Sequence, residues 1–257
     1  MTRTIFSLFF AGVFFASCKK ETTIIENAGE AVLTFDAKVG NADFSLNTDF
    51  SINSQTYRFN KLRYWVSNVN LIDVNGNVYS VPDSYYLLEE TSPVAVQDGD
   101  YTYPAKKRED VKLLNIPKGQ YKTIQFSIGV EKEYNDNLSL QKGELSQLNG
   151  MTNVSWMWHT SYIFSAIGGT VSNGTTSKNI IAETGLNSNY KTVSLDLAAP
   201  INIGGSTAST VLLSVDVAKI LTGLDLFTTP TIGASQAAAM TQLANNYTQS
   251  FSVVSAK

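Results

Sequence analysis

The chain has 257 residues, with 19 Lys and Arg against 22 Asp and Glu, a net charge of −3 and one histidine. That balance gives nucleic-acid binding no electrostatic support. A single cysteine, Cys18, rules out an internal disulfide framework and a thiolate cluster for zinc or iron, so the fold must be held by its core. Aromatics at 11% and charged residues at only 16% fit a sheet-rich exported protein better than a disordered one.

Residues 1–17 carry one charge, Arg3, and an apolar run, Ile5 to Ala16, too short to span a membrane as a helix. The run ends in Ala16-Ser17-Cys18, which resembles a bacterial lipoprotein signal with Cys18 as the lipidated first residue of the mature protein. An ordinary secretory leader beside a chance cysteine is the alternative. Lys19-Lys20-Glu21 is similar to the charged tag after the lipidated cysteine of Bacteroidetes-type surface lipoproteins. Residues 18–30 lack hydrophobic periodicity and read as a tether. The expected address is the outer membrane, on its periplasmic or outer side, with membrane contact through the lipid alone.

Residues 31–257 are long enough for one large β domain. Ala31, Leu33, Phe35, Ala37 and Val39 alternate with polar neighbours and predict a half-buried first strand. From Tyr57 to Val74 the apolar phase flips twice, which predicts a bulge or break near Asn60-Lys61 and another near Ser67-Asn68. Asn75-Gly76 signals a two-residue hairpin with positive φ at both positions. Tyr85 to Leu88 reads as a short strand, and Glu89 to Lys112 as a charged loop. Ile116-Pro-Lys-Gly119 is a turn that launches a strand over Tyr121 to Val130, with Ile124, Phe126, Ile128 and Val130 on one face. Glu131 to Asn149 is polar and reads as a long loop with a helical turn near residues 143–148; loops of that length are usually functional or mobile.

The segment that follows holds two of three tryptophans and the lone histidine. At period two, Val154, Trp156, Trp158, Thr160, Tyr162 and Phe164 share one face, and Ser155, Met157, His159, Ser161 and Ile163 the other. This predicts a strand with an aromatic wall, either the centre of the core or part of a site. Alternating strands are expected again at Val193 to Leu197 and Val211 to Val217, a helix at Ser235 to Tyr247 from the spacing of Met240, Leu243, Ala244 and Tyr247, and a closing strand at Phe251 to Val253. The fold class is therefore all-β, a single sandwich or barrel-like domain with one or two short helices near the C-terminal part.

No Gly-x-Ser-x-Gly elbow and no phosphate loop is present, and the carboxylate pairs Glu89/Glu90 and Glu131/Glu133 sit in polar stretches that read as solvated. The chain is read as a non-enzyme. Four phrases point elsewhere: Phe59-Asn-Lys-Leu-Arg-Tyr-Trp-Val-Ser-Asn-Val-Asn-Leu71, Ile116 to Val130, Gly143-Glu-Leu through Trp156-Met-Trp158 to Phe164, and Leu243-Ala-Asn-Asn-Tyr247. In this order they resemble the MbnP-like copper-binding proteins, over about residues 31–255.

The resemblance implies an extracytoplasmic β-rich copper protein whose relatives use histidines and a tryptophan oxidised to kynurenine. It places the candidate oxidisable or site-lining aromatics at Trp65, Trp156 and Trp158. The histidines do not carry over: Tyr85-Tyr86 stands where relatives have Tyr-His, and Glu183-Thr184-Gly185 where they have His-x-Gly. The candidate copper ligands are His159 and Met157, soft donors on one strand face about 7 Å apart at their Cα atoms. The alternative for His159 is a hydrogen bond within or beside the sheet. Expected partners are the membrane, through Cys18, and a copper-handling or redox protein. The alternative function is a surface module that has lost its metal and meets a protein or glycan through the loops Glu89–Lys112 and Glu131–Asn149.

Overall fold

The computed structural model describes residues 28–96, 101–153, 161–205 and 207–257. Its strands form two main sheets packed as a sandwich, not a closed barrel. The smaller sheet orders Asp110–Ile116, Gly29–Val39, Ser209–Asp216 and Phe251–Ala256 side by side. Within it the first strand runs parallel to Ser209–Asp216, Leu33 opposite Val211. The larger sheet orders Lys191–Ile203, Gly119–Ile128, Gln55–Asp73, Ser161–Ser172, Ser177–Gly185 and Thr231–Ile232.

Alternation decides which side chains face inward. In Gly29–Val39 every second residue is buried, Ala31, Leu33, Phe35, Ala37 and Val39 among them. Phe35 and Phe251 from the smaller sheet meet Phe126 from the larger one at 5.4 and 5.2 Å between ring centres, edge to face. Interlocked rings of this kind fix how the sheets sit on each other. One end is closed by the helix Ala237–Ser250, which buries Met240, Leu243, Ala244 and Tyr247, as its spacing predicts.

The 19-residue strand Gln55–Asp73 is the frame of the larger sheet. Both expected irregularities are present. Gly168 pairs with Lys61 and Gly169 with Phe59, leaving Asn60 as an extra residue. Gln125 pairs with Asn70 and Ser127 with Ser67, and Asn68 turns to φ +49°. At Gly169 a side chain has no room, because a Cβ there would lie 2.2 Å from the Arg58 carbonyl oxygen.

Two expectations change. Only Gly76 of the Asn75-Gly76 pair has positive φ, since the turn is a residue longer than two and the Asp73 carboxylate holds it by accepting from Asn75 and Asn77 backbone N–H, both at 2.8 Å. The stretch Glu89 to Lys112 is not all loop: it carries the end of Tyr85–Thr91, then Lys106–Arg108 and the start of Asp110–Ile116. Of the strand expected over Val154 to Phe164, residues 161–164 open the strand Ser161–Ser172 and residues 154–160 lie outside the described residues; Thr152 and Asn153 pair with Tyr162 and Ser161 in antiparallel register.

Candidate functional site at a split in the sheet

On one edge the long strand exchanges neighbours at Trp65. Tyr64 pairs with Ser165 of one strand, and Val66 with Ile128 of another. Between those two partners the chain makes an excursion, described over residues 129–153. It leaves at Gly129, whose N–H donates to the Trp65 carbonyl at 3.0 Å. Gly129 has φ +113°, and a Cβ there would lie 2.6 Å from the Phe164 ring, so the exit passes too close over that ring for any side chain.

Trp65 is fully buried and meets Tyr162 edge to face at 6.0 Å. The indole Nε1, the Tyr162 hydroxyl and the Ser161 hydroxyl are all buried, with no hydrogen-bond partner among the described residues. A buried polar group left unpaired costs roughly 1–3 kcal/mol, so two of them on touching rings, Trp65 and Tyr162, with Ser161 beside them on the other face of the strand, call for an explanation. Burial pushes the Tyr162 hydroxyl up to about 12.

A polar rim ties the start of the excursion to the sheet. Tyr85 donates its hydroxyl to Glu131, and Asn68 Nδ2 donates to Glu131 Oε2 at 3.1 Å and to the Tyr190 hydroxyl at 2.7 Å. Burial, reinforced by that carboxylate, raises the Tyr85 phenol far above its ordinary value. The Asn68 bulge is what turns this amide toward Glu131. Asn135 Oδ1 accepts from Tyr162 N–H at 2.9 Å, and its Nδ2 donates to Asn187 Oδ1 at 3.0 Å.

Further along the excursion, Asn149 is held by a buried ion pair whose arginine lies two residues before Trp65. Arg63 and Glu89 are 1% and 3% exposed. Glu89 Oε2 lies 2.9 Å from Arg63 Nε and 2.7 Å from Nη2. The same Nη2 donates to the Asn149 carbonyl at 2.7 Å, and the Tyr103 hydroxyl donates to Glu89 Oε1 at 2.6 Å. Asn149 ends the one-turn helix Gln147–Asn149, directly before Thr152–Asn153. A residue read as solvated therefore proves to be the buried counterion of a strand arginine. Glu131 is likewise half-buried and hydrogen-bonded rather than free in a loop. The usable sign was Arg63 itself, a cation between Leu62 and the aromatic pair Tyr64-Trp65.

Of the residues singled out from sequence, Trp65 lies at the split. Cys18, Trp156, Met157, Trp158 and His159 lie outside the described residues. Among the described residues, no group of three His, Cys, Asp or Glu side chains comes together to hold a metal ion. The donors at the split are phenols, amides, hydroxyls and one carboxylate, hard ligands that do not by themselves suit copper(I).

A family model described as MbnP matches residues 28–240. Comparison with curated proteins finds no match. Among solved structures, MbnP from Methylosinus trichosporium is similar, with 14% identity, a TM-score of 0.48, and 76% of this chain and 78% of that chain covered. The family match spans well over half of the sequence, including both flanks of the split at Trp65, and the chain belongs to the MbnP family.

Proposed function

We propose that this protein is a lipid-anchored, extracytoplasmic copper-binding member of its family, held at the outer membrane through Cys18 and exchanging copper with a handling or redox partner. Met157 and His159 supply the soft ligands that the described part of the split lacks, and Trp65, Trp156 and Trp158 form the aromatic surround. The observation that carries this reading is the pair of unpartnered buried polar atoms on Trp65 and Tyr162, whose rings meet edge to face. They lie at the sheet position flanked by the exit and return of the excursion whose sequence contains Trp-Met-Trp-His. Family membership supports the same conclusion.

Titration of the purified protein with copper(I) against a chromophoric chelator is expected to give at most one ion per chain. His159→Ala should abolish uptake and Met157→Ala should weaken it. Intact mass after copper exposure reads bound metal and any oxygen added to tryptophan together. Absence of uptake, or a His159→Ala variant that binds unchanged, removes the copper reading. Cys18→Ala should shift the protein from the membrane fraction to the soluble one, and its staying in the membrane fraction would remove the lipid anchor.

A further inference from the structure

The two stretches noted in the sequence for their length and polarity face each other across a cavity of about 360 Å³. Tyr101, Tyr103, Lys106 and Arg108 line one side, and Glu144, Ser146, Leu148 and Asn149 the other. That volume lies within the range of small-ligand sites, roughly 300–1,000 Å³. Two apolar surfaces stand open there: Tyr101 is 49% exposed and Leu148 59%. An exposed tyrosine ring offers a flat face with a polar tip, a surface that suits ligands with one apolar side and many hydroxyls.

The charge of this cavity runs against that of the molecule. Arg63, Lys106 and Arg108 are the cations in and under it, and Glu89 and Glu144 the carboxylates. Glu89 is shared by Arg63 and Lys106, at 2.7 and 3.3 Å, so one positive charge is left over in a chain whose net charge is −3. Donor capacity is left over as well. Lys106 Nζ, on a side chain 46% exposed, makes long contacts to Glu89 and to the Tyr103 hydroxyl at 3.4 Å. Arg108 uses Nη1 on Glu144 and Nε on the Asp110 carbonyl, which leaves Nη2 without a partner among the described residues. Partial burial works against the charge on Lys106, but Glu89 and Tyr103 outweigh it, and its pKa lies above the usual lysine value.

We infer that this cavity is a binding site for an acidic saccharide, a sugar ring lying on Tyr101 with its carboxylate between Lys106 and Arg108. Ser146 and Glu144, both only half-buried, are placed for the ring hydroxyls, which an aromatic acid of the same charge would leave unmatched. The site uses neither Met157 nor His159, so it stands whether or not the protein binds copper.

The test is calorimetric titration of the purified protein with a galacturonate disaccharide, its neutral galactose counterpart and 4-hydroxybenzoate. The acidic sugar is expected to bind and the other two to bind at least tenfold more weakly, the worth of one charge-assisted hydrogen bond. Affinity should also fall as salt is raised. Tyr101→Ala and Lys106→Gln should each cost about tenfold, and Lys106→Arg should retain most of the affinity. Tyr101 is exposed, and its backbone carbonyl contact to Val96 N–H at 3.1 Å survives truncation, so that variant is expected to fold. Three results each overturn the inference: no binding of the acidic sugar at millimolar concentration, equal binding of the neutral sugar or of the aromatic acid, or affinity unchanged in both Tyr101→Ala and Lys106→Gln.

Discussion

Replacing Arg63 with methionine keeps much of the side-chain length but strands Glu89, whose carboxylate side chain is fully buried. Breaking a buried pair by removing one partner costs about 3–5 kcal/mol. Glu89 keeps the Tyr103 hydroxyl at 2.6 Å and the Lys106 ammonium at 3.3 Å, which places the cost near the lower end. The Asn149 carbonyl also loses its donor, adding about 1 kcal/mol. The sum is about 4 kcal/mol, which in a domain of this size lowers Tm by about 8–16 °C. Urea unfolding followed by tryptophan fluorescence measures it directly. Adding Glu89→Gln to Arg63→Met removes the stranded charge and should restore at least half of the loss. If the single variant loses less than about 1 kcal/mol, or the double variant is no more stable than the single, the pair is not the buried anchor described above.

Three other outcomes are expected. Gly129→Ala should destabilise by roughly 3 kcal/mol or more in the same unfolding assay, since it combines a Cβ 2.6 Å from the Phe164 ring with φ +113°; a loss under about 1 kcal/mol would show that the exit can relax. Tyr162 binds its proton more tightly in the folded protein, about 12 against about 10 unfolded. Its contribution to stability is therefore complete below about pH 10 and is lost as pH rises through about 12. Tyr162→Phe should lessen that alkaline decline and, by removing an unpartnered hydroxyl, leave stability at pH 7 unchanged or improved; an equally steep decline counts against the assignment. Asp225 has the opposite sign: hydrogen bonds from Gln55 and Thr228 hold its carboxyl down to about 2. Its contribution is present above about pH 4 and lost as pH falls toward 2. Melting curves between pH 5 and pH 2 should show a shallower fall in Asp225→Asn than in the parent.

Strand phase was the most legible property of this sequence. Two reversals of apolar phase between Tyr57 and Val74 located the Asn60 and Asn68 irregularities, because a side chain that changes face must be matched by an extra backbone residue. Ser177–Gly185 escaped notice for the same reason in reverse. Its adjacent isoleucines, Ile180 at 2% exposure and Ile181 at 45%, hide the alternation that the structure resolves. Pairing between distant segments left no trace, as with Gly29–Val39 beside Ser209–Asp216, since nothing local encodes a parallel neighbour so far along the chain. Burial of Glu89 was equally silent, because a glutamate in a polar run looks the same whether or not an arginine from another strand lies against it. Trp65 was found through family likeness, and its place at the split could not have been.

The two rungs that bracket Trp65 have an architectural consequence. Ile128 and Ser165 finish opposite Val66 and Tyr64, positions only two residues apart and so about 7 Å along one strand. Whatever is spliced between them starts and stops at nearly the same doorway. Lineages of this scaffold could lengthen, shorten or rewrite that cassette, ligands included, while the surrounding framework kept its alignment.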